Sequence, residues 1–162
     1  MSISWYTIQT MARIISVVNQ KGGVGKTTTS VNVAAALALL EKRVLLVDID
    51  SQGNATSGLG FDPTTVHPSV YDVLIENSGI DQAIINTGIE GLDLLPAHVD
   101  LAGASVELIS VDQREHRLRH ALGIVEDRYD FIIIDCPPSL GVLTINGIVA
   151  GNEILIPVQA EY

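Results

Sequence analysis

Cysteine and long apolar runs are both scarce in this sequence. Its 162 residues contain one cysteine, Cys136, and no uninterrupted apolar run longer than residues 33–40. A single cysteine excludes a disulfide within the chain and a metal site made of several cysteines, and it favours the reducing cytosol. Because a membrane-spanning helix needs ~20 apolar residues, we expect a soluble protein without membrane attachment. The first residues have no basic segment followed by a long apolar one, so no secretory signal is predicted.

Basic residues are missing from a long middle stretch of the chain. No Lys or Arg lies between Arg43 and Arg114, whereas eleven Asp or Glu do, and the net charge is −10. A surface of this sign repels nucleic acid and acidic lipids. It does not exclude polyphosphate binding, which depends on local backbone amides and a few lysines rather than on the overall charge.

A glycine-rich segment follows the first apolar stretch of strand length, residues 13–18. It reads Lys21-Gly22-Gly23-Val24-Gly25-Lys26-Thr27-Thr28. A strand that ends in a glycine-rich turn and opens a helix presents several backbone N–H groups, where the partial positive charge of the helix N-terminus also lies. The segment is therefore predicted to bind a polyphosphate.

The segment is a variant of the general phosphate-binding loop, Gly-x-x-x-x-Gly-Lys-Ser/Thr. Gly25, Lys26 and Thr27 match this pattern, but Gln20 stands where the pattern has its first glycine. A dinucleotide-binding Gly-x-Gly-x-x-Gly fingerprint fails because its third glycine would fall on Thr28. A glycine turn without a ligand is the remaining alternative, and such a turn would not require a lysine and a threonine directly after its last glycine.

Short apolar segments alternate with segments of helical spacing along the chain. Strands are predicted at residues 14–18, 44–47, 92–95, 131–134 and 154–158, and helices at residues 27–40, 100–109, 113–126 and 142–149. Residues 51–63 are rich in Gly, Ser, Asn and Pro and are predicted to form a loop, whereas residues 70–75 and 82–85 are ambiguous. This β/α order predicts a three-layer α/β/α fold with a mostly parallel sheet.

Three aspartates follow apolar strands of the predicted sheet. Asp48 and Asp50 come after the second strand, and Asp135 ends the run Phe131-Ile132-Ile133-Ile134. Ligands of parallel α/β sheets bind at these strand ends. A carboxylate beside a polyphosphate would repel it unless Mg²⁺ lies between them, so the pattern predicts a metal, with the Thr27 hydroxyl as a further ligand. The alternative is that each aspartate caps the next turn or helix.

Three blocks of the sequence resemble a known family. The segment from Lys21 to Thr28 resembles the deviant Walker A motif of the ParA/MinD group of ATPases, and residues 44–60 and 129–141 resemble the corresponding blocks of ParA/Soj chromosome and plasmid partition ATPases. The resemblance runs from about residue 12 to residue 162 and implies a P-loop NTPase fold. One departure is Ser51, where the family commonly has proline, and it removes no catalytic group.

The resemblance implies roles for individual residues. Lys21 to Thr28 would bind the nucleotide, with Lys26 and the loop amides on the β- and γ-phosphates, and Thr27, Asp50 and Asp135 would lie at Mg²⁺, the last through water. Asp50 would orient or activate the attacking water. Lys21 would reach the phosphates of the partner subunit in an ATP-dependent sandwich dimer, so that Lys21, Lys26 and Asp50 are the predicted catalytic residues.

The function that this family implies is a Mg²⁺-dependent ATPase switch for chromosome or plasmid partition. Its ATP-bound dimer would bind nucleoid DNA without sequence specificity, and a ParB-like partner would stimulate hydrolysis. The expected location is the cytoplasm, in association with the nucleoid. A membrane-cycling ATPase of the MinD kind is the alternative, although the loop Gln52-Gly53-Asn54 fits the partition branch better. A scaffold without catalysis is the nonenzymatic alternative, and a cluster-binding electron-transfer protein would need paired cysteines.

The ends of the chain give further expectations. Residues 1–11 match no element of this architecture and are predicted to be a disordered N-terminal extension, with Met1 and Met11 both open as the start. Residues 12–162 are predicted to be the N-terminal part of a ParA-type ATPase domain, because the family members are longer. We expect a sheet that is incomplete on its C-terminal side, with the adenine contacts and the DNA-binding residues in the missing part.

Weaker patterns favour structural interpretations. His116 and His120 have a spacing that can bind zinc, but the residues between them supply no glutamate base, so a solvated helix face is favoured. The basic cluster Arg114, Arg117 and Arg119 is interpreted as pairing with neighbouring acids rather than binding DNA. Cys136 is predicted to be a packed small residue rather than a nucleophile.

Overall fold

A computed structural model of the protein describes residues 11–160, apart from the side chain of Ser105. The strands are β1 Arg13–Val17, β2 Val44–Asp48, β3 Ile85–Asn86, β4 Leu92–Leu95, β5 Phe131–Asp135 and β6 Glu153–Leu155. The α-helices are α1 Lys26–Leu39, α2 Asn54–Gly58, α3 Val70–Leu74, α4 Ile80–Ala83, α5 Leu101–Glu107, α6 Arg117–Leu122 and α7 Val142–Ala150. Short 3-10 helices occupy Leu108–Ser110 and Glu126–Arg128.

One six-stranded sheet in the order β3-β4-β2-β5-β1-β6 organises these elements. All neighbouring strands are parallel except β3 and β4. Separate apolar clusters lie on its two faces: one contains Ala34 and Ala38 of α1, and the other contains Leu118 of α6 and Leu143 of α7. The predicted three-layer α/β/α arrangement and the mostly parallel sheet are therefore confirmed.

The central strands explain why the fold forms. All five residues of β2 are buried, and so are Ile132 to Asp135 of β5. A strand that is covered on both faces needs a continuous apolar run instead of alternation, which is what both segments have. Because β2 and β5 pair in register from Val44 and Phe131 to Asp48 and Asp135, their terminal aspartates lie side by side at one edge of the sheet.

Helix α1 packs on the sheet through small residues. Its buried positions are Lys26, Ser30, Ala34 and Ala38, spaced by four and therefore on one face. Small side chains along this face let the helix lie close to the strands. As a result, the first turn of α1 is brought against the carboxyl ends of the neighbouring strands.

Several predicted boundaries were wrong. The loop predicted at residues 51–63 contains α2. The helix predicted at residues 113–126 is shorter and starts later, as α6, because Gln113 has a φ of 51° and residues 112–116 form turns. The ambiguous segments form α3, whose N-terminus Ser69 caps, and the α4–β3 junction. The last predicted strand, residues 154–158, is the shorter β6, because only Glu153 to Leu155 pair with β1.

The edges and ends of the described chain complete the picture. Strand β6 is an edge strand, and Ile154 is 54% exposed. The extension predicted at residues 1–11 lies outside the described residues except for Met11, which is exposed and in no helix or strand. Within residues 11–160, no helix combines the length and the apolar character needed to cross a bilayer.

Candidate functional site

The glycine-rich segment forms a loop between β1 and α1. Gly23 and Gly25 have φ values of 74° and 84°, which L-amino acids with a side chain rarely adopt. Gly25 directly precedes α1, and among the described residues no side chain caps the first N–H groups of this helix. These donors, at the positive end of the helix dipole, can therefore bind an anion.

The two predicted lysines lie at different depths in the loop. Lys26 is only 7% exposed, and its Nζ donates a hydrogen bond to the Lys21 carbonyl at 3.3 Å. Lys21 is exposed, and its backbone N–H donates to Oδ1 of Asn19 at 2.9 Å. The buried lysine is thus directed into the loop, while the other lysine lies at the outer edge of the loop.

Asp135 combines a satisfied oxygen with an unsatisfied one. Its Oδ1 accepts a hydrogen bond from the Ser30 hydroxyl at 2.8 Å, whereas its buried Oδ2 has no hydrogen-bond partner among the described residues. Burial raises the pKa of this carboxyl; the hydroxyls of Thr27 and Ser30 oppose the rise, and the charge of Asp50 adds to it. A buried carboxylate oxygen without a donor, near a hydroxyl, is suited to a cation.

Asp48 has a different environment from the other two aspartates. Its Oδ2 accepts from the backbone N–H and from the hydroxyl of Thr56, both at 2.8 Å, and its Oδ1 accepts from the Asp50 N–H at 3.1 Å. Burial is the main reason why the pKa of Asp48 is raised to about 7. For Asp48 the capping interpretation is correct, because its oxygens fasten the turn and helix after β2.

Asp50 lies in the same turn and is 7% exposed. Its Oδ1 accepts from the Gln52 N–H at 3.0 Å, and its carbonyl accepts from the Gly53 N–H at 2.9 Å. Its charge is close enough to raise the pKa of Asp135. The structure therefore brings Lys26, Asp50 and Asp135 together at the mouth of the glycine-rich loop.

The residues of this site suit a divalent cation that also binds to phosphate. Among the residues that the structure describes, no three His, Cys, Asp or Glu side chains are arranged to hold a metal ion by themselves. Mg²⁺ commonly binds through one or two carboxylates and the oxygens of a bound phosphate. The free Oδ2 of Asp135 and the nearby Thr27 hydroxyl match this requirement.

Comparison with known proteins agrees with this geometry. The sequence model of the family AAA_31, described as an AAA domain, matches residues 12–162. The chain belongs to this AAA domain family. This chain is 57% identical over 152 residues to the sporulation initiation inhibitor protein Soj of Bacillus subtilis. It is 52% identical over 153 residues to the chromosome partitioning protein ParA of Myxococcus xanthus. The predicted resemblance to this family is therefore confirmed.

Solved structures extend the comparison to three dimensions. A cobyrinic acid a,c-diamide synthase from Mycobacterium smegmatis, bound to an ATP analogue and magnesium, is 47% identical with a TM-score of 0.89, over 93% of this chain and 62% of that one. A Cyanothece McdA(D38A)–ATP complex is 26% identical with a TM-score of 0.85, over 91% and 56%. The regions matched to the Soj and ParA sequences span 94% of this chain but only 60% and 54% of those two sequences.

Two residues that contact the strand-end aspartates were not predicted from the sequence. Ser30 bonds to Asp135, and Thr56 bonds to Asp48 and accepts the Ala97 N–H at 2.9 Å. Ser30 stands four residues after Lys26, a spacing that places both on one helix face and could have indicated its position. Thr56 gave no such signal, because its partner Ala97 follows a different strand.

The weaker sequence patterns have structural explanations in the AAA domain. Arg114 pairs with Glu115 and Arg119 lies 3.9 Å from Glu126, as predicted for this cluster, whereas Arg117 donates to the Leu74 carbonyl instead of pairing with an acid. His116 and His120 are exposed and stacked, with ring centroids 6.1 Å apart. Cys136 is buried, which raises the pKa of its thiol and makes it a packed residue, as predicted.

The Thr56 hydroxyl can be tested by an isosteric substitution. Thr56→Val would leave the Ala97 N–H without its buried acceptor and would remove one of the two donors to Asp48 Oδ2, so we expect the free energy of unfolding to fall by about 1–3 kcal/mol. Urea denaturation measures this change. Thr56→Ser keeps the hydroxyl and is the control; equal stability of the Val and Ser variants would contradict the assigned hydrogen bonds.

Proposed function

We propose that the protein is a Mg²⁺-dependent ATPase that acts as a switch in chromosome or plasmid partition. The observation that carries this proposal is the free, buried Oδ2 of Asp135 beside Thr27 and the uncapped N-terminus of α1. An anion-binding helix end and a cation-binding carboxylate at one place suit a metal-bound nucleotide. The proposal also rests on the relatives named Soj and ParA, at 57% and 52% identity.

The residues of the loop have separate tasks in this proposal. The backbone N–H groups of residues 22–28 and the Lys26 ammonium bind the β- and γ-phosphates, and the glycines let the backbone approach them. Thr27 and Asp135 would hold Mg²⁺, the aspartate through water, and Asp50 would be a further residue of the metal site. When bound, Mg²⁺ neutralises charge that develops on the phosphate oxygens.

Asp50 acts on the water that attacks the γ-phosphate. It lies on the turn after β2, where two hydrogen bonds fix its backbone, the one from its N–H to Asp48 and the one from Gly53 to its carbonyl. Its carboxylate can accept a proton or orient the water for in-line attack. Asp48 supports this group without contacting the nucleotide.

Dimerisation, partners and location are parts of the same proposal. Lys21 is exposed at the outer edge of the loop, and we assign it to the phosphates of the partner subunit in an ATP-dependent sandwich dimer. The dimer binds nucleoid DNA in the cytoplasm through parts of the protein outside this chain, and a ParB-like protein stimulates hydrolysis. Residues 12–162 are then the N-terminal part of the ATPase domain.

A MinD-like membrane-cycling ATPase is the alternative. The partition interpretation is favoured because two relatives with partition names, a chromosome partitioning protein ParA and a chromosome-partitioning ATPase Soj, are 52% and 50% identical to this chain. The loop Gln52-Gly53-Asn54 supports it as well.

The experiment that tests the function uses the full-length protein. Phosphate release is measured with Mg²⁺ and ATP, and co-sedimentation is compared for plasmid DNA and for anionic liposomes, each with ATP and with ADP. We expect hydrolysis and ATP-dependent sedimentation with DNA. Sedimentation with liposomes alone would favour the MinD-like alternative, and the absence of hydrolysis would contradict the enzymatic proposal.

A further inference from the structure

We propose that Asn19 is a positioning residue that orients Lys21 for its action on the partner subunit. This inference rests on the proposed function, because it requires that Lys21 acts across an ATP-dependent dimer. Asn19 lies between β1 and the glycine-rich loop, and its side chain accepts a hydrogen bond from the backbone N–H of Lys21. Its proposed role is therefore to place Lys21.

The Asn19 side chain bridges two segments. Its Oδ1 accepts the Lys21 N–H at 2.9 Å, and its Nδ2 donates to the Pro157 carbonyl at 2.8 Å. These two hydrogen bonds fix the orientation of the Asn19 side-chain amide. The Lys21 N–H needs an acceptor, which is the amide oxygen, and the Pro157 carbonyl needs a donor, which is the amide nitrogen. The side chain thus ties the outer edge of the loop to the stretch that follows β6.

The backbone of Lys21 is held on both sides. Asn19 binds its N–H, and Lys26 Nζ donates to its carbonyl at 3.3 Å. Fixing both polar groups of one residue fixes the direction in which its Cα–Cβ bond points. A long lysine side chain magnifies a small backbone rotation, so this clamp limits where the Lys21 ammonium can go.

The stretch after β6 supports the loop at a second point. The Gln159 Nε2 donates to the Gly23 carbonyl at 3.1 Å, and the Val18 N–H donates to the Leu155 carbonyl at 3.0 Å, which continues the β1–β6 pairing. The position of the loop edge is therefore set by residues after β6 as well as by β1. Asn19 is the link that carries this support to Lys21.

Alanine at position 19 removes both arms of the bridge. In full-length protein we expect Asn19→Ala to weaken ATP-dependent dimerisation about tenfold and to lower kcat about tenfold, since small misplacements of a positioned group have effects of this order or larger. Nucleotide affinity of the monomer is expected to stay within about twofold, because Asn19 leaves the loop amides and Lys26 in place. Sedimentation velocity with a non-hydrolysable ATP analogue, steady-state phosphate release and calorimetry measure the three quantities.

Two further variants separate positioning from a general loss of structure. Asn19→Ser offers a hydroxyl that can still accept the Lys21 N–H but does not reach Pro157, so it is expected to recover most of the dimerisation. Asn86→Ala is the matched control, because Asn86 accepts the Gly88 N–H at 2.9 Å and donates to Asp93 on the distant strand pair β3 and β4. It is expected to behave like the wild type.

Combination with Lys21→Ala decides the inference. If Asn19 works through Lys21, Asn19→Ala adds nothing in a Lys21→Ala background, whereas independent residues would give multiplied effects. Two results would overturn the role of Asn19 and leave the role of Lys21 intact. The first is multiplied effects in the double variant. The second is an Asn19→Ala variant that dimerises and hydrolyses ATP normally while Lys21→Ala does not. A Lys21→Ala protein with normal dimerisation would overturn the dimer proposal and this inference together. If Asn19→Ala does not fold, Asn19→Leu in both backgrounds provides the same comparison, because leucine also removes both hydrogen bonds but keeps the size of the side chain.

Discussion

Lys21→Ala is expected to lose ATP-dependent dimerisation and to hydrolyse ATP about 10³-fold more slowly than the wild type. A cationic group donated across an interface contributes roughly 10³ to 10⁵ to phosphoryl transfer. The lower end is expected here, because an ammonium lacks the bidentate fork of a guanidinium. Binding of ATP to the monomer should be retained, since Lys26 and the loop amides remain.

Sedimentation velocity and phosphate release measure this prediction, and Lys42→Ala is the control. Lys42 is also an exposed lysine, but it lies between α1 and β2, away from the glycine-rich loop. The control should dimerise and hydrolyse ATP normally. If Lys21→Ala does the same, the assignment of Lys21 to the partner's phosphates is wrong.

Asp50→Ala is expected to bind ATP and to form the dimer, but to lose turnover by about 10²- to 10⁴-fold, the usual contribution of a positioned general base. The carboxylate of Asp50 is the group proposed to orient the attacking water. Binding is retained because Asp50 is not among the groups that hold the phosphates. The variant should therefore remain in the ATP-bound dimer.

Asp62→Ala is the matched control for Asp50→Ala. Each aspartate uses Oδ1 to accept the N–H two residues later, from Gln52 in one case and from Thr64 at 2.9 Å in the other. Each substitution removes a local hydrogen bond of this type, but of the two residues only Asp50 lies at the glycine-rich loop. Steady-state hydrolysis that is unchanged in Asp50→Ala, or equally reduced in both variants, would refute the catalytic role.

The parts of the fold that follow from local sequence were predictable. Buried parallel strands require continuous apolar runs, and residues 44–47 and 131–134 have them, so β2 and β5 were placed within one residue. The glycine-rich loop was predictable because the spacing of Gly25, Lys26 and Thr27 has a chemical reason. The clustering of strand-end aspartates followed from the parallel arrangement alone.

The parts that depend on distant contacts were not predictable. Asp48 and Asp50 both follow the same strand in the sequence, yet only Asp48 accepts a hydrogen bond from the Thr56 hydroxyl among the described residues. That hydroxyl in turn accepts the backbone N–H of Ala97, which follows another strand. The late start of α6 depends on the turns around Gln113 rather than on its apolar spacing. The bridge from Asn19 to Pro157 joins residues 138 apart in sequence, a contact that no local pattern could indicate.

The central claim is that the loop from Gly22 to Thr28 binds a magnesium-bound nucleoside triphosphate. Isothermal titration calorimetry of full-length protein with Mg-ATP tests it most directly, with Lys26→Ala and a titration without Mg²⁺ alongside. We expect saturable heat for the wild type, much weaker binding for Lys26→Ala, and weaker binding when Mg²⁺ is absent. No heat on adding Mg-ATP, or equal binding by the wild type and Lys26→Ala, would contradict the claim.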